Sequence, residues 1–198
     1  MSKCEFCGNQ KLIQLKKTNL LDKPADIFLC SECGHVFKSP LEKITNDDVE
    51  KYYQNIRYND ERIIRNQQKK QIQFLVENKT IDTKEKSALL EIGGGVNGLI
   101  NLFPDLDKYA LELNRAVQEK MKSLGIKVLD SLKDLQTDFD IIILSHVFEH
   151  IIDNPFIYIS DLMKLLSDKG SIFIEVPHLA YELYIDKQNN VCCCIYVV

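Results

Sequence analysis

The second half of the chain is a series of apolar runs of strand length, separated by amphipathic stretches of helix length. Ser87-Ala88-Leu89-Leu90-Glu91-Ile92 is the first run, and it stops at a glycine cluster. Residues 98–103 are predicted helical, with a break at Pro104. Lys108-Tyr109-Ala110-Leu111-Glu112-Leu113 is a second strand, and Val117, Met121 and Leu124 recur at helical spacing after it, predicting a helix over 114–124. Ile126-Lys127-Val128-Leu129 is a third strand. Phe139-Asp140-Ile141-Ile142-Ile143-Leu144 is the fourth and most hydrophobic, which places it centrally. Pro155 opens a helix over 155–167 that Gly170 is expected to end, and Ser171-Ile172-Phe173-Ile174-Glu175-Val176 is a fifth strand. Strands alternating with helices predict an α/β fold, a doubly wound parallel sheet covered on both faces. Ligands of such sheets sit beyond the carboxyl ends of the strands, at the point where strand order reverses. Gly93–Gly98, Glu112, Asp130 and Ser145-His146 all fall at predicted strand carboxyl ends and are expected to ring one cleft.

The first forty residues follow a different pattern. Lys11-Leu12-Ile13-Gln14-Leu15 alternates in part, and Ile27-Phe28-Leu29 is short and apolar, so both read as strands. They are framed by two Cys-x-x-Cys-Gly turns, Cys4/Cys7 with Gly8 and Cys30/Cys33 with Gly34. Two residues between cysteines let one tight turn aim both sulfurs at one ion, and the glycine supplies the positive φ such a turn needs. Two such turns predict a closed four-sulfur Zn²⁺ site of structural character, a zinc-ribbon-like module over residues 1–40. His35 is expected at the surface, since four sulfurs already close the site. A helical connector over 41–80 follows, starting near Thr45-Asn46-Asp47-Asp48. Ile64, Ile72, Leu75 and Val76 predict an amphipathic helix near 60–78 within it, and Tyr52, Tyr53 and Tyr58 precede that helix.

Composition narrows the function classes. A chain of 198 residues has room for one domain and a small module, and 45% hydrophobic content is globular. A net charge of −4 gives no general attraction to nucleic acid. The N-terminus MSKCEFCGNQKL lacks the apolar core of a signal peptide, and no apolar run approaches a membrane span. The expectation is therefore a cytoplasmic protein with no membrane and no nucleic-acid partner. In that compartment paired cysteines are more often metal ligands than disulfides.

The chemistry lies at the glycine cluster. Gly93-x-Gly95-x-x-Gly98 matches the dinucleotide fingerprint, and Glu112 at the end of the second strand suits a pair of ribose hydroxyls. That pairing is compatible with NAD or with S-adenosylmethionine. Charge separates them. A pyrophosphate wants the helix N-terminus and no anion nearby. Glu91 sits two residues before the first glycine, where it repels phosphate but tolerates a sulfonium and an ammonium. The alternative is that Glu91 caps the loop's own N–H groups.

Leu89-Leu90-Glu91-Ile92-Gly93-Gly94-Gly95, then Glu112, then the Phe139-Asp140 strand ending Ser145-His146-Val147-Phe148-Glu149-His150, then Ile174-Glu175-Val176-Pro177, resembles a class I S-adenosylmethionine-dependent methyltransferase over residues 87–177. The Cys4 module with its following Tyr-Tyr segment is similar to the branch with an N-terminal zinc-binding domain, some members of which methylate nucleotide-linked deoxysugars. The resemblance implies a Rossmann-like methyltransferase domain over 81–198 and transfer of a methyl group to a small-molecule acceptor. It implies that Glu91, Gly93 and Gly95 hold the methionine end, Glu112 the ribose, and Asp130 with Ser131 the adenine. It implies that His146 faces the methyl group or the acceptor, and a histidine, His146 or His150, suits general-base work. The family's third glycine falls at the position of Asn97, one residue before Gly98. The family sheet also continues with a helix and two strands after the fifth, so the domain is expected to be C-terminally truncated. Val191–Val198, containing Cys192, Cys193 and Cys194, reads as one apolar strand rather than a metal site.

Four other readings are compatible with these residues. A truncated, inactive remnant would bind zinc, with or without the cofactor. An NAD-binding protein would use the same loop. His146-Val147-Phe148-Glu149-His150 also matches the inverted zinc-protease motif, which needs both histidines on one helix face. A zinc-ribbon nucleic-acid adaptor has only Lys16-Lys17 and Lys69-Lys70 as basic support.

Overall fold

The computed structural model describes residues 3–4, 6–20, 23–39, 44–55, 87–96, 98–132, 135, 138–151, 155–177 and 193–197. The chain divides into two compact units, Met1–Ile56 with Ile152–Tyr158, and Arg57–Ile151 with Ile159–Val198.

In the first unit β1 (Leu12–Leu20), β2 (Lys23–Cys30) and β3 (Val36–Ser39) form an antiparallel sheet in that order. The hairpin is longer than the two apolar runs suggested, because the polar stretch Lys16–Asn19 pairs with Ala25, Asp26 and their neighbours through its backbone. β3 follows the second cysteine turn and pairs with β2 through Phe37 opposite Phe28. His35 is half-buried rather than free at the surface, and its ring stacks on Phe37 with centroids 5.4 Å apart. That burial disfavours the imidazolium and holds its pKa below the ordinary value.

α1 (Asn46–Asn55) begins where the acidic first turn predicted. Thr45 Oγ1 accepts from the Asp48 amide at 3.2 Å, and the Asp48 carboxylate accepts from the Thr45 amide at 2.9 Å, a reciprocal cap. Lys23 adds an ion pair to Asp48 at 2.8 Å. The amphipathic helix expected near 60–78, Tyr58 and Lys69-Lys70 lie outside the described residues.

The second unit is the α/β domain. β4 (Ala88–Ile92), β5 (Asp107–Leu111), β6 (Lys127–Leu129), β7 (Phe139–Ser145), β8 (Leu166–Pro177) and β9 (Cys193–Val197) lie in the order β6-β5-β4-β7-β8-β9. The first five are mutually parallel and β9 joins β8 antiparallel. β4 and β7 are central, and Leu89, Leu90 and Ile141–Leu144 are almost wholly buried. Each such side chain contributes about 2 kcal/mol of burial free energy. A 3-10 turn at Leu99–Leu102 follows β4, α2 (Arg115–Ser123) follows β5, and α3 (Pro155–Met163) precedes β8. Asn114 caps α2 by accepting from the Val117 amide. Leu99, Ile100, Val117 and Met121 pack on Leu89, Ala110, Ile141 and Phe173 in one cluster.

Two expectations need correction. The helix after Pro155 stops at Met163, and the chain is already extended from Leu166. Gly170 therefore ends no helix: it lies within β8, where a Cβ would come 2.7 Å from the Phe139 carbonyl oxygen. Glycine is required there by close backbone approach between β7 and β8.

Candidate functional site

Gly93, Glu112, Asp130 and Ser145-His146 directly follow or end β4, β5, β6 and β7, so one end of the sheet carries them all. Strand order reverses between β4 and β7, which puts the glycine loop and His146 on either side of the switch point. The Gly93 amide donates to the Leu111 carbonyl at 2.8 Å, tying the loop to the end of β5. Gly93 and Gly95 both have positive φ, 66° and 65°. A Cβ at Gly93 would also meet Val147 Cγ2 at 2.7 Å, so the segment after β7 packs directly on the loop.

Glu91 is 1% exposed, and its carboxylate serves the loop itself. Oε1 accepts from the Leu99 amide at 2.9 Å and Oε2 from the Ile100 amide at 2.8 Å. Both amides belong to the first turn after the glycines, whose N–H groups have no partner within the turn. Gly94 and Gly98 lie flat against that carboxylate, and a Cβ at either would overlap it. The third glycine stands at 98 because of this contact. Burial pushes the Glu91 carboxyl up to about 7, against the two amides, with nearby Glu112 adding to the rise.

Glu112 is 4% exposed. Its Oε1 accepts from the Asn114 amide at 2.8 Å, while Oε2 is buried without a hydrogen-bond partner among the described residues. Burial raises its pKa, opposed by the amides of Asn114, Leu113 and Gly95. An orphaned buried carboxylate oxygen is costly and calls for a donor. Two adjacent hydroxyls of a ribose supply such donors. Asp130 and Ser131 follow β6 and are exposed.

His146 has φ 55°, the one positive value outside glycine among the described residues. Its amide donates to the Glu175 carbonyl at 2.9 Å. The ring lies between two acids, with Nδ1 3.7 Å from Glu149 and Nε2 4.0 Å from Glu175. His150 is more exposed and its Nε2 stands 3.9 Å from Glu149. The two histidines do not share a helix, because only the 3-10 turn Phe148–His150 follows the kink at His146. The geometry of the inverted zinc-protease motif is therefore not formed. Glu175 was legible only as part of a strand, although a carboxylate inside an apolar run is the signal that marked Glu91.

In the first unit Cys4, Cys7, Cys30 and Cys33 bring their sulfurs within 4.8 Å of one another. Cys4 to Cys33 and Cys7 to Cys30 are both 3.6 Å. A tetrahedral zinc with bonds of about 2.3 Å has sulfur–sulfur edges of about 3.8 Å, so the cluster fits. Gly8 and Gly34 both have φ 74°, and their amides return to the Cys4 and Cys30 carbonyls at 2.8 and 3.0 Å. Among the described residues no other group of this kind is present.

A parallel sheet with a glycine turn after its first strand and an acid at the end of its second defines a Rossmann-like nucleotide- or nucleoside-binding domain. The family model of the methyltransferase domain matches residues 49–194, and the chain belongs to that family. No curated protein matches the sequence. Among solved structures, the plantazolicin methyltransferase BamL, in complex with a triazolic desmethylPZN analog and S-adenosylhomocysteine (SAH), is 18% identical with a TM-score of 0.51, covering 75% of this chain and 59% of its own. Coclaurine N-methyltransferase bound to N-methylheliamine and SAH is 16% identical with a TM-score of 0.48, covering 61% of this chain and 39% of its own. An S-adenosylmethionine-dependent methyltransferase from Clostridium acetobutylicum is 21% identical with a TM-score of 0.47, over 62% of this chain and 54% of its own. The chain thus spans 39–59% of the length of these proteins. Among the described residues no helix is long and apolar enough to cross a membrane.

Proposed function

We propose that the chain transfers the methyl group of S-adenosylmethionine to a small-molecule acceptor, with nucleotide-linked sugars as the leading class. The observation that carries the choice of cofactor is the Glu91 carboxylate on the Leu99 and Ile100 amides. A dinucleotide-binding loop keeps such amides for pyrophosphate. Here a protein carboxyl already fills the anion position, so phosphate is excluded by occupancy. The unpartnered Glu112 Oε2 supports a ribose at the end of β5.

When bound, S-adenosylmethionine supplies an electrophilic sulfonium methyl. Glu112 would take the ribose hydroxyls, the Gly93–Gly95 turn the methionine end, and Asp130 with Ser131 the adenine end. His146 stands across the switch point to receive the acceptor's proton, and the remaining contribution is alignment and exclusion of water. The sugar class rests on the resemblance of the Cys4 module and its Tyr-Tyr segment to that branch. In this reading Cys4, Cys7, Cys30 and Cys33 hold one structural Zn²⁺, with no open position for substrate.

The test is calorimetric titration of the intact chain with SAH and, in parallel, with NADH. Heat of binding with the first and none with the second is expected. The reverse pattern would replace the methyltransferase reading with the dinucleotide one.

A further inference from the structure

His146 is held in a conformation that its own backbone disfavours. Left-handed φ in a residue with a Cβ is strained and persists only where the surroundings enforce it. The enforcing contacts come from β8. Ser145 and Glu175 are register partners on β7 and β8, and the next amide, that of His146, donates to the Glu175 carbonyl at 2.9 Å. Ser145 Oγ donates to Glu175 Oε2 at 2.7 Å, fixing the carboxylate. The same Oε2 lies 4.0 Å from His146 Nε2, and the Glu175 side chain is 2% exposed.

Glu149 faces the other edge of the ring at 3.7 Å, but its side chain is 25% exposed. Charge interactions weaken as water approaches. The buried, hydroxyl-anchored Glu175 is therefore the stronger and better fixed of the two acids, despite the slightly longer distance. Glu149 also faces His150 at 3.9 Å, which divides its attraction.

We propose that Glu175, anchored by Ser145, is a positioning residue for His146: its buried, fixed carboxylate 4.0 Å from Nε2 orients the ring and favours its protonated form. This rests on the reading of His146 as the base of methyl transfer. In that step an acceptor O–H or N–H proton passes to His146. The pair it leaves forms the new bond to the methyl carbon. The carbon–sulfur pair stays on sulfur as a neutral thioether. Positive charge moves from sulfonium to imidazolium, and Glu175 and Glu149 flank the ring where it arrives.

The test needs no acceptor. The intact chain is labelled with ¹⁵N,¹³C-histidine and its imidazole signals are followed by NMR against pH, in wild type, Glu175→Gln and Ser145→Ala, and then on addition of SAH. The protonation midpoint of His146 is expected to move to lower pH in Glu175→Gln, with His35 as the unmoved internal reference. Ser145→Ala, which keeps every charge, is expected to shift it in the same direction by less, and it serves if Glu175→Gln does not fold. An unchanged His146 midpoint in the folded variants overturns the proposal. SAH is expected to displace the His146 signals and leave those of His35. A midpoint that moves with Glu175 while SAH leaves His146 untouched would uphold the pairing and remove His146 from the cofactor site.

Discussion

Replacing Gly98 by alanine probes the contact on which the loop is built. Gly98 has φ −61° and ψ 164°, values open to alanine, so the substitution carries no backbone penalty. Its methyl group would overlap Glu91 Oε2 and come 2.8 Å from Cδ. The carboxylate must leave, and with it go hydrogen bonds from Leu99 and Ile100. At pH 8 the Glu91 carboxyl is ionised, and bonds of amides to a charged acceptor contribute about 1.5–3 kcal/mol each, so the loss is about 3 kcal/mol or more. With a urea m value of about 2 kcal/mol/M, the unfolding midpoint falls by about 1.5 M. Unfolding is followed by circular dichroism, since the chain has no tryptophan. The decisive comparison is the same substitution in a Glu91→Ala background. There the methyl group meets no carboxylate, and its further cost is below about 0.5 kcal/mol. Equal costs in both backgrounds would refute the account of why glycine stands at 98.

Four further outcomes are expected. Glu91 keeps its proton in the folded state to about pH 7, against 4.5 for the ordinary carboxyl. The folded chain therefore binds a proton that the unfolded chain loses, and stability falls by about 3 kcal/mol as pH rises through that window; chemical denaturation at a series of pH values shows it, and Glu91→Gln flattens the slope. Glu112→Gln weakens SAH binding about tenfold in calorimetry with little effect on the stability of the free chain, because Oε2 has no hydrogen-bond partner among the described residues. One zinc per chain is found by mass spectrometry of the purified protein, and Cys30→Ser abolishes it and unfolds the three-stranded sheet by circular dichroism. Thr45→Ala removes a hydroxyl that accepts from the Asp48 amide and costs about 1 kcal/mol in urea unfolding.

The parallel strands are readable from sequence because both faces are buried. Ile141–Leu144 has no polar position to hide its register, and Leu89-Leu90 beside it behaves alike. β3 is not readable, since four residues that owe their place to pairing with β2 leave no periodicity. Gly170 misleads because a glycine after a helical stretch resembles a stop, whereas its reason is the distant Phe139 carbonyl. The acid beside the glycines is visible in sequence, but its direction is not. Sequence reasoning turns Glu91 toward a ligand, with capping of the loop as the alternative, and the structure gives its carboxylate to Leu99 and Ile100. Glu91 thus occupies the anion position of the loop instead of facing a ligand. The link between His146 and Glu175 spans two strands far apart in the chain, and only the register of β7 with β8 brings it out.

Methyl-donor binding at this site requires particular directions of Glu91 and Glu112 when the cofactor is present. A crystal structure of the intact chain with SAH measures this. A ribose hydroxyl is expected within hydrogen-bond distance of Glu112 Oε2, with the Glu91 carboxylate still on the Leu99 and Ile100 amides. A ligand anion on those amides with Glu91 displaced, or a ribose away from Glu112, would contradict it.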